Sequence, residues 1–303
     1  MDRLKGVIAA AATPLTLEHA IDTERLIAHC GRLLQRGCDG INLLGTTGEA
    51  TSFSVQQRLQ AMQAIARSGL PLARFMVGTG AAALEDAVAL TTAAQDLGFA
   101  GALLLPPFYY KGIDADSLVG YVESVIKRVG RKDLRLYLYN FPQLTGVPYA
   151  TEVVVRLHTA HPQHILGLKD SSGDMGFAAE LARRVPDFDV FPSSEAALAK
   201  ARENRFAGCI SATTNITAPL AGAGWRAGDD VERTRLIDDA TAIRNALAAL
   251  PLIAAVKWAL GDLEGDRSWN RLSPPLRPLS GAEGEKLRMA LGQPRYPTLT
   301  ASP

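Results

Sequence analysis

Apolar and polar positions along this chain follow two rhythms. Short, nearly continuous apolar runs rich in β-formers lie at Gly6–Ala12, Gly40–Gly45, Arg74–Gly80, Gly101–Pro106, Arg135–Phe141, Ile165–Lys169, Phe188–Pro192 and Gly208–Ser211. Runs without polar alternation are what a parallel sheet covered on both faces requires. Between them, apolar residues recur at helical spacing. In Thr23–Gln35 they are Leu26, Ile27, Cys30, Leu33 and Leu34. In Ser54–Ala66 they are Val55, Leu59, Met62 and Ile65, behind a serine suited to an N-cap. Leu84–Leu97, Asp116–Val129, Thr151–Leu157, Met175–Val185 and Glu195–Glu203 read the same way. Gly69, Gly98 and Gly130 fall just past predicted helix ends, as C-caps do. Eight βα repeats predict a closed (β/α)8 TIM barrel rather than an open doubly wound sheet, whose edge strands would read more polar. Gly78-Thr79-Gly80 is a fragment of a dinucleotide motif in the wrong place, and reads as a strand-end turn.

Past Gly224 the strand pattern stops. Asp229–Ala249, Leu252–Leu260 and Ala282–Leu291 look helical, parted by a polar segment at Ser273-Pro274-Pro275. The expected organisation is a barrel with the active site over residues 1–224 and a small C-terminal helical domain over 225–303.

Composition narrows the partners. Hydrophobic residues make up 47% of the 303, charged residues 21%, and the net charge is +1, so a globular protein with no nucleic-acid partner is expected. No apolar run approaches the ~20 residues of a membrane span. The first residues lead into a strand-like run with no cleavage pattern, so a cytoplasmic protein is expected. Cys30, Cys38 and Cys209 are scattered and read as small buried hydrophobes in a reducing compartment. His158, His161 and His164 cluster around Pro162 without a carboxylate to complete a ligand set, so no metal is expected.

In a parallel barrel the chemistry sits at the C-terminal ends of strands. Three such ends are polar without a propensity reason. Lys169 closes the apolar run Ile165–Leu168, in a chain with 24 arginines and eight lysines. A lysine desolvated at an apolar barrel mouth favours the neutral amine, the nucleophile that forms a Schiff base with a carbonyl. Snorkelling to solvent would explain the same position. Tyr139 ends the preceding run within Tyr139-Asn140-Phe141-Pro142; its phenol suits proton transfer, although a strand tyrosine needs no such role. Gly45-Thr46-Thr47-Gly48-Glu49 ends the second run, with hydroxyls and free N–H groups suited to a carboxylate, or simply to capping the next helix.

Taken in order, GTTGEA at 45–50, LPPFYYK at 105–111, YNFP at 139–142, GLKDSSGD at 167–174, GCISATTN at 208–215 and VKWAL at 256–260 resemble the pyruvate-dependent Schiff-base aldolase family. That family includes dihydrodipicolinate synthase, N-acetylneuraminate lyase and 2-keto-3-deoxy-sugar-acid aldolases and dehydratases. The resemblance covers nearly the whole chain. It implies Lys169 as the Schiff-base lysine, Tyr139 as the proton relay beside it, and Thr46 as the link from Tyr139 to a second tyrosine. Thr46 and Thr47 would hold the substrate carboxylate, and Ile210 would offer its backbone carbonyl. The second tyrosine matches Tyr109, with Tyr110 as the adjacent candidate. It is donated by a neighbouring subunit, which implies a homodimer or homotetramer. The partner is a small 2-oxo acid, and no metal or organic cofactor is implied.

One departure bears on the substrate. Dihydrodipicolinate synthases carry an arginine for the aldehyde's carboxylate after YNxP, and Leu144 stands at that place here. Leucine makes no charge-assisted contact, a loss of a few kcal/mol at a buried site (~2–5). Phe108 and Phe141 tilt the pocket further toward an apolar or sugar-acid partner. The expected activity is therefore an aldolase or dehydratase acting on a 2-keto-3-deoxy or 4-hydroxy-2-oxo acid. The runner-up condenses pyruvate with aspartate semialdehyde. A non-catalytic 2-oxo-acid-binding barrel is the alternative of another class. A flavin- or phosphate-binding barrel would need more glycine than Pro192-Ser193-Ser194 and Ser211-Ala212-Thr213 supply.

Overall fold

The computed structural model describes residues 3–292. Its strands are β1 (Gly6–Ala10), β2 (Gly40–Leu43), β3 (Phe75–Gly78), β4 (Gly101–Leu104), β5 (Leu136–Asn140), β6 (Ile165–Asp170), β7 (Asp189–Pro192) and β8 (Gly208–Ser211). All pair in parallel in the order β7-β6-β5-β4-β3-β2-β1-β8. The Ala207 N–H donates to the Val190 carbonyl at 3.0 Å, which brings β8 against β7 and nearly closes the barrel.

Helices α1 (Thr23–Gln35), α2 (Val55–Arg67), α3 (Leu84–Asp96) and α4 (Ala115–Val129) follow the first four strands. Next come a short α5 (Pro142–Thr145), then α6 (Thr151–Ala160), α7 (Met175–Arg184) and α8 (Ala201–Asn204), the last entered through a 3-10 turn at Glu195–Lys200. The eighth strand leads into α9 (Thr214–Arg226), followed by α10 (Asp230–Ala248), α11 (Leu252–Glu264) and α12 (Gly281–Leu291). Residues 293–303 of the expected C-terminal segment lie outside the described residues.

Strand residues divide between two apolar clusters. Ile8, Ala10, Met76, Leu103, Tyr137, Tyr139, Phe191 and Ile210 share the one that fills the barrel. Their neighbours Val7, Ala9, Ile41, Leu43, Val77, Leu104, Leu138 and Val190 pack on the helices. Side chains alternate across a strand, so burial on both sides produces the continuous apolar runs.

The expected runs at β1, β2, β3 and β4 overshoot the C-terminal ends of the observed strands by two residues each, because the backbone leaves the ladder to build the loops above. Leu44 turns to φ +51° immediately after β2. Arg58, buried on α2, donates to the carbonyls of Gly78 (2.8 Å) and Gly80 (3.0 Å), so that turn is held by a guanidinium. The Glu195–Glu203 stretch is a 3-10 turn plus one helical turn rather than a regular helix. Helix α9 has no counterpart among the predicted helices. It is buried on most sides, contains Pro219, and starts with Thr214, Asn215 and Thr217, so no polar face marks it.

Candidate active site

Register between β5 and β6 builds the centre of the site. The pairing shifts by one residue between Leu136 and Tyr137, so Tyr137 lies opposite Gly167, and Tyr139 opposite Lys169. Glycine is required at 167: a Cβ there would lie 2.8 Å from the Tyr137 ring and 2.2 Å from the Asp189 carbonyl oxygen. This close approach puts Tyr139 and Lys169 side by side at the C-terminal end of the barrel. The Lys169 Nζ lies 4.3 Å from the Tyr139 ring centroid, and both residues are 3% exposed.

The strand ends are braced from behind. Asn140 Nδ2 donates to Asp170 at 2.8 Å, and its Oδ1 accepts the Tyr149 N–H at 3.1 Å. Asp170 also accepts from the hydroxyl (2.9 Å) and the N–H (3.2 Å) of Ser172. Burial pushes the Asp170 carboxyl up, opposed by these hydrogen bonds. On the front, the Tyr139 hydroxyl meets the Thr46 hydroxyl at 3.3 Å and that of Ser171 at 3.5 Å. The Gly45–Glu49 turn presents Thr46 through two internal hydrogen bonds, Glu49 N–H to the Thr46 carbonyl and Ala50 N–H to the Gly45 carbonyl. Thr13 donates to the Gly48 carbonyl at 2.8 Å and fixes it to the first strand's end.

These groups open onto a cavity of about 480 Å³. Lys169, Tyr139, Thr46, Thr47 and Ile210 all line it. Its outer wall comes from the C-terminal helices: Pro251–Ala254 at the start of α11, and Leu272 with Pro275–Arg277 in the loop after it. Apolar walls around a few converging polar groups describe a small-molecule site. Tyr109 and Tyr110 are not among the lining residues; they stand 74% and 73% exposed, edge-to-face at 5.3 Å.

The match to known proteins agrees with this geometry. The family model described as the dihydrodipicolinate synthetase family matches residues 3–293. The chain belongs to this family. An "uncharacterized DapA-like lyase" of Chloroflexus aurantiacus is 35% identical over 292 residues, covering 94% of this chain and 95% of its own. The 4-hydroxy-tetrahydrodipicolinate synthase of Thiobacillus denitrificans is 31% identical, covering 95% and 96%. The crystal structure of dihydrodipicolinate synthase from Agrobacterium tumefaciens superposes with a TM-score of 0.87 at 28% identity, covering 95% of this chain and 98% of the other. As a member of the dihydrodipicolinate synthetase family the protein is a lyase, and Schiff-base chemistry fits the family.

Sequence reasoning missed the two arginines that line the cavity with Lys169. Arg244, on α10, lines the cavity together with Arg277. Its Nη1 donates to the hydroxyls of Ser211 (3.0 Å) and Thr213 (3.2 Å) and to Glu195 (3.3 Å). Glu195 is fully buried and also accepts from Ser211, Thr213 and Thr217 at 2.8, 2.6 and 2.6 Å. The signal available was a glutamate directly after Pro192-Ser193-Ser194, at a strand end. His158 and His164 meet the carbonyls of Ile165 and Leu134, and His161 meets Glu123, so each has its own partner. No group of three or more His, Cys, Asp or Glu that could hold a metal occurs among the described residues. No single helix among them is long and apolar enough to cross a membrane.

Proposed function

We propose that this lyase holds pyruvate, or a 2-keto-3-deoxy or 4-hydroxy-2-oxo acid, as an imine on Lys169. The observation that carries this reading is the buried amine beside the Tyr139 ring, facing the cavity, with Thr46 in reach of the phenol. The neutral amine adds to the ketone carbon, and the carbinolamine loses water to a protonated imine. That cation accepts the electron pair when a C3 proton or a C–C bond at C3 is lost, leaving an enamine. In synthesis the enamine carbon attacks an aldehyde; in cleavage it is protonated. Water then releases the product and restores the amine. Tyr139 moves the protons, with Thr46 as its partner. Thr46 and Thr47 hold the substrate carboxylate, and the Ile210 carbonyl faces the pyruvate unit.

Leu144 and Arg244, which both line the cavity, support an aldehyde partner whose anionic end lies on the α10 side. The 4-hydroxy-tetrahydrodipicolinate synthases among the relatives support the second reading, condensation of pyruvate with aspartate semialdehyde. We further propose a cytoplasmic homodimer or homotetramer in which the exposed Tyr109 completes the neighbour's site. In this reading residues 1–224 form the catalytic barrel and 225–303 the helical domain.

Borohydride trapping with pyruvate, followed by peptide mass analysis, tests the mechanism. One reduced pyruvate on Lys169 is the expected result; an unmodified Lys169 at saturating pyruvate sinks it. Assay with aspartate semialdehyde against a panel of sugar-derived aldehydes separates the two substrate readings.

A further inference from the structure

Glu49 closes the Gly45–Glu49 turn that presents Thr46 and Thr47. It adopts φ +56°, the left-handed region that a side chain rarely occupies. Its carboxylate does not point to solvent. Oε1 accepts from Lys257 Nζ at 2.5 Å, and both side chains are completely buried. Oε2 accepts the Ser273 backbone N–H at 2.7 Å. One carboxylate thus joins three separate segments: the threonine turn, the middle of α11, and the loop after it.

Both outer segments continue directly into the cavity wall. Lys257 lies one turn beyond Pro251–Ala254, and Ser273 is followed by Pro275, Leu276 and Arg277, all lining residues. Burial lowers the Lys257 ammonium while Glu49 raises it, so the charged form depends on this partner. A buried ion pair is a poor source of stability, since an apolar pair of similar size does as well or better. Its useful property is directional: a carboxylate with two donors permits one arrangement of the parts it joins. The left-handed backbone at Glu49 points the same way, because strained residues persist where surrounding contacts over-determine them.

We propose that Glu49 and Lys257 are a positioning pair, which sets the threonine turn and the helical wall of the cavity in register so that Thr46 and Thr47 receive the 2-oxo-acid carboxylate. The effect on substrate rests on the reading of the site given above; the mechanical coupling does not.

The test uses the full-length chain with both charges removed, Glu49→Gln with Lys257→Met, because Lys257→Met alone isolates a buried carboxylate and endangers folding. Two measurements are made on the double variant and the wild type. Amide hydrogen exchange reads the coupling: peptides covering residues 45–50 and 272–277 are expected to exchange about tenfold faster together, with β6 unchanged. Borohydride trapping reads the consequence: half-saturating pyruvate rises about tenfold while Lys169 stays the modified residue, since small misplacements of a binding group have effects of that order or more. A stable double variant with wild-type exchange in either segment overturns the joint. Coupled loosening with an unchanged pyruvate half-saturation leaves a structural brace and overturns the positioning role. If wild-type enzyme is not trapped at all, the imine reading fails, and the exchange data still decide the joint.

Discussion

Leu144, 58% exposed, and Arg244 both line the cavity. In the proposed reading, single side chains here govern substrate choice. Leu144→Arg is expected to raise kcat/KM for aspartate semialdehyde about tenfold, the worth of one partly solvated charge-assisted contact. No gain in steady-state assays would mean that the aldehyde's acid lies elsewhere. At the centre, Lys169→Ala should abolish pyruvate trapping and reduce turnover at least about a thousandfold, with the circular dichroism spectrum retained. Tyr139→Phe should still be trapped but lose about 10²–10⁴ in kcat, as removal of a proton-transfer group does. Full turnover by either variant would refute its assigned role. Lys169 and Tyr139 were legible as polar residues ending apolar runs. Arg244 was not, because it projects from a helix outside the barrel, where an arginine is unremarkable.

Among elements, the β5–β6 pair and α9 show the two extremes of legibility. Both strands are plain in the apolar pattern, yet the one-residue shift that aligns Tyr139 with Lys169 depends on the Tyr137 ring lying against Gly167. Helix α9 was invisible because it is enclosed. Its Asn215 fastens it to the barrel, accepting from the Ala12 N–H at 3.0 Å and donating to the Ala10 carbonyl at 2.8 Å. The same Oδ1 meets His29 Nε2 of α1 at 2.8 Å, which makes that nitrogen the donor. Burial pulls the His29 imidazole down from 6.5 to about 3, against the Asn215 hydrogen bond and helped by Arg32, Arg36 and Arg25. Above about pH 6.5 neither folded nor unfolded chain holds that proton, and the full stability is present. As pH falls toward 3 only the unfolded chain takes it up, so stability drops by up to about 1.4 kcal/mol per unit from this group. Urea unfolding at pH 7, 6 and 5 should show that slope reduced in His29→Gln. Parallel slopes for variant and wild type would remove His29 as the cause.

For the whole molecule, Tyr109 and Tyr110 are two exposed aromatic residues set edge-to-face outside the cavity lining. The proposed assembly covers them. Light scattering is expected to give two or four times the chain mass, and Tyr109→Ala to lower kcat with pyruvate trapping intact. A monomer with full activity would sink that arrangement. The C-terminal helices also act at this scale, because they supply the cavity's outer wall and, through Lys257 and Ser273, reach the threonine turn.

The sequence by itself determined the strands, most of the helices, the barrel, and the motifs at strand ends that place the chain in its family. Each of these rests on local periodicity or on short runs of neighbouring residues, which a linear reading preserves. The tertiary structure alone decided that Glu49 meets Lys257, that Glu195 holds Arg244, and that the helices after the barrel wall the cavity. Those contacts join residues far apart in the chain and depend on how packed elements meet, for which no period or spacing exists.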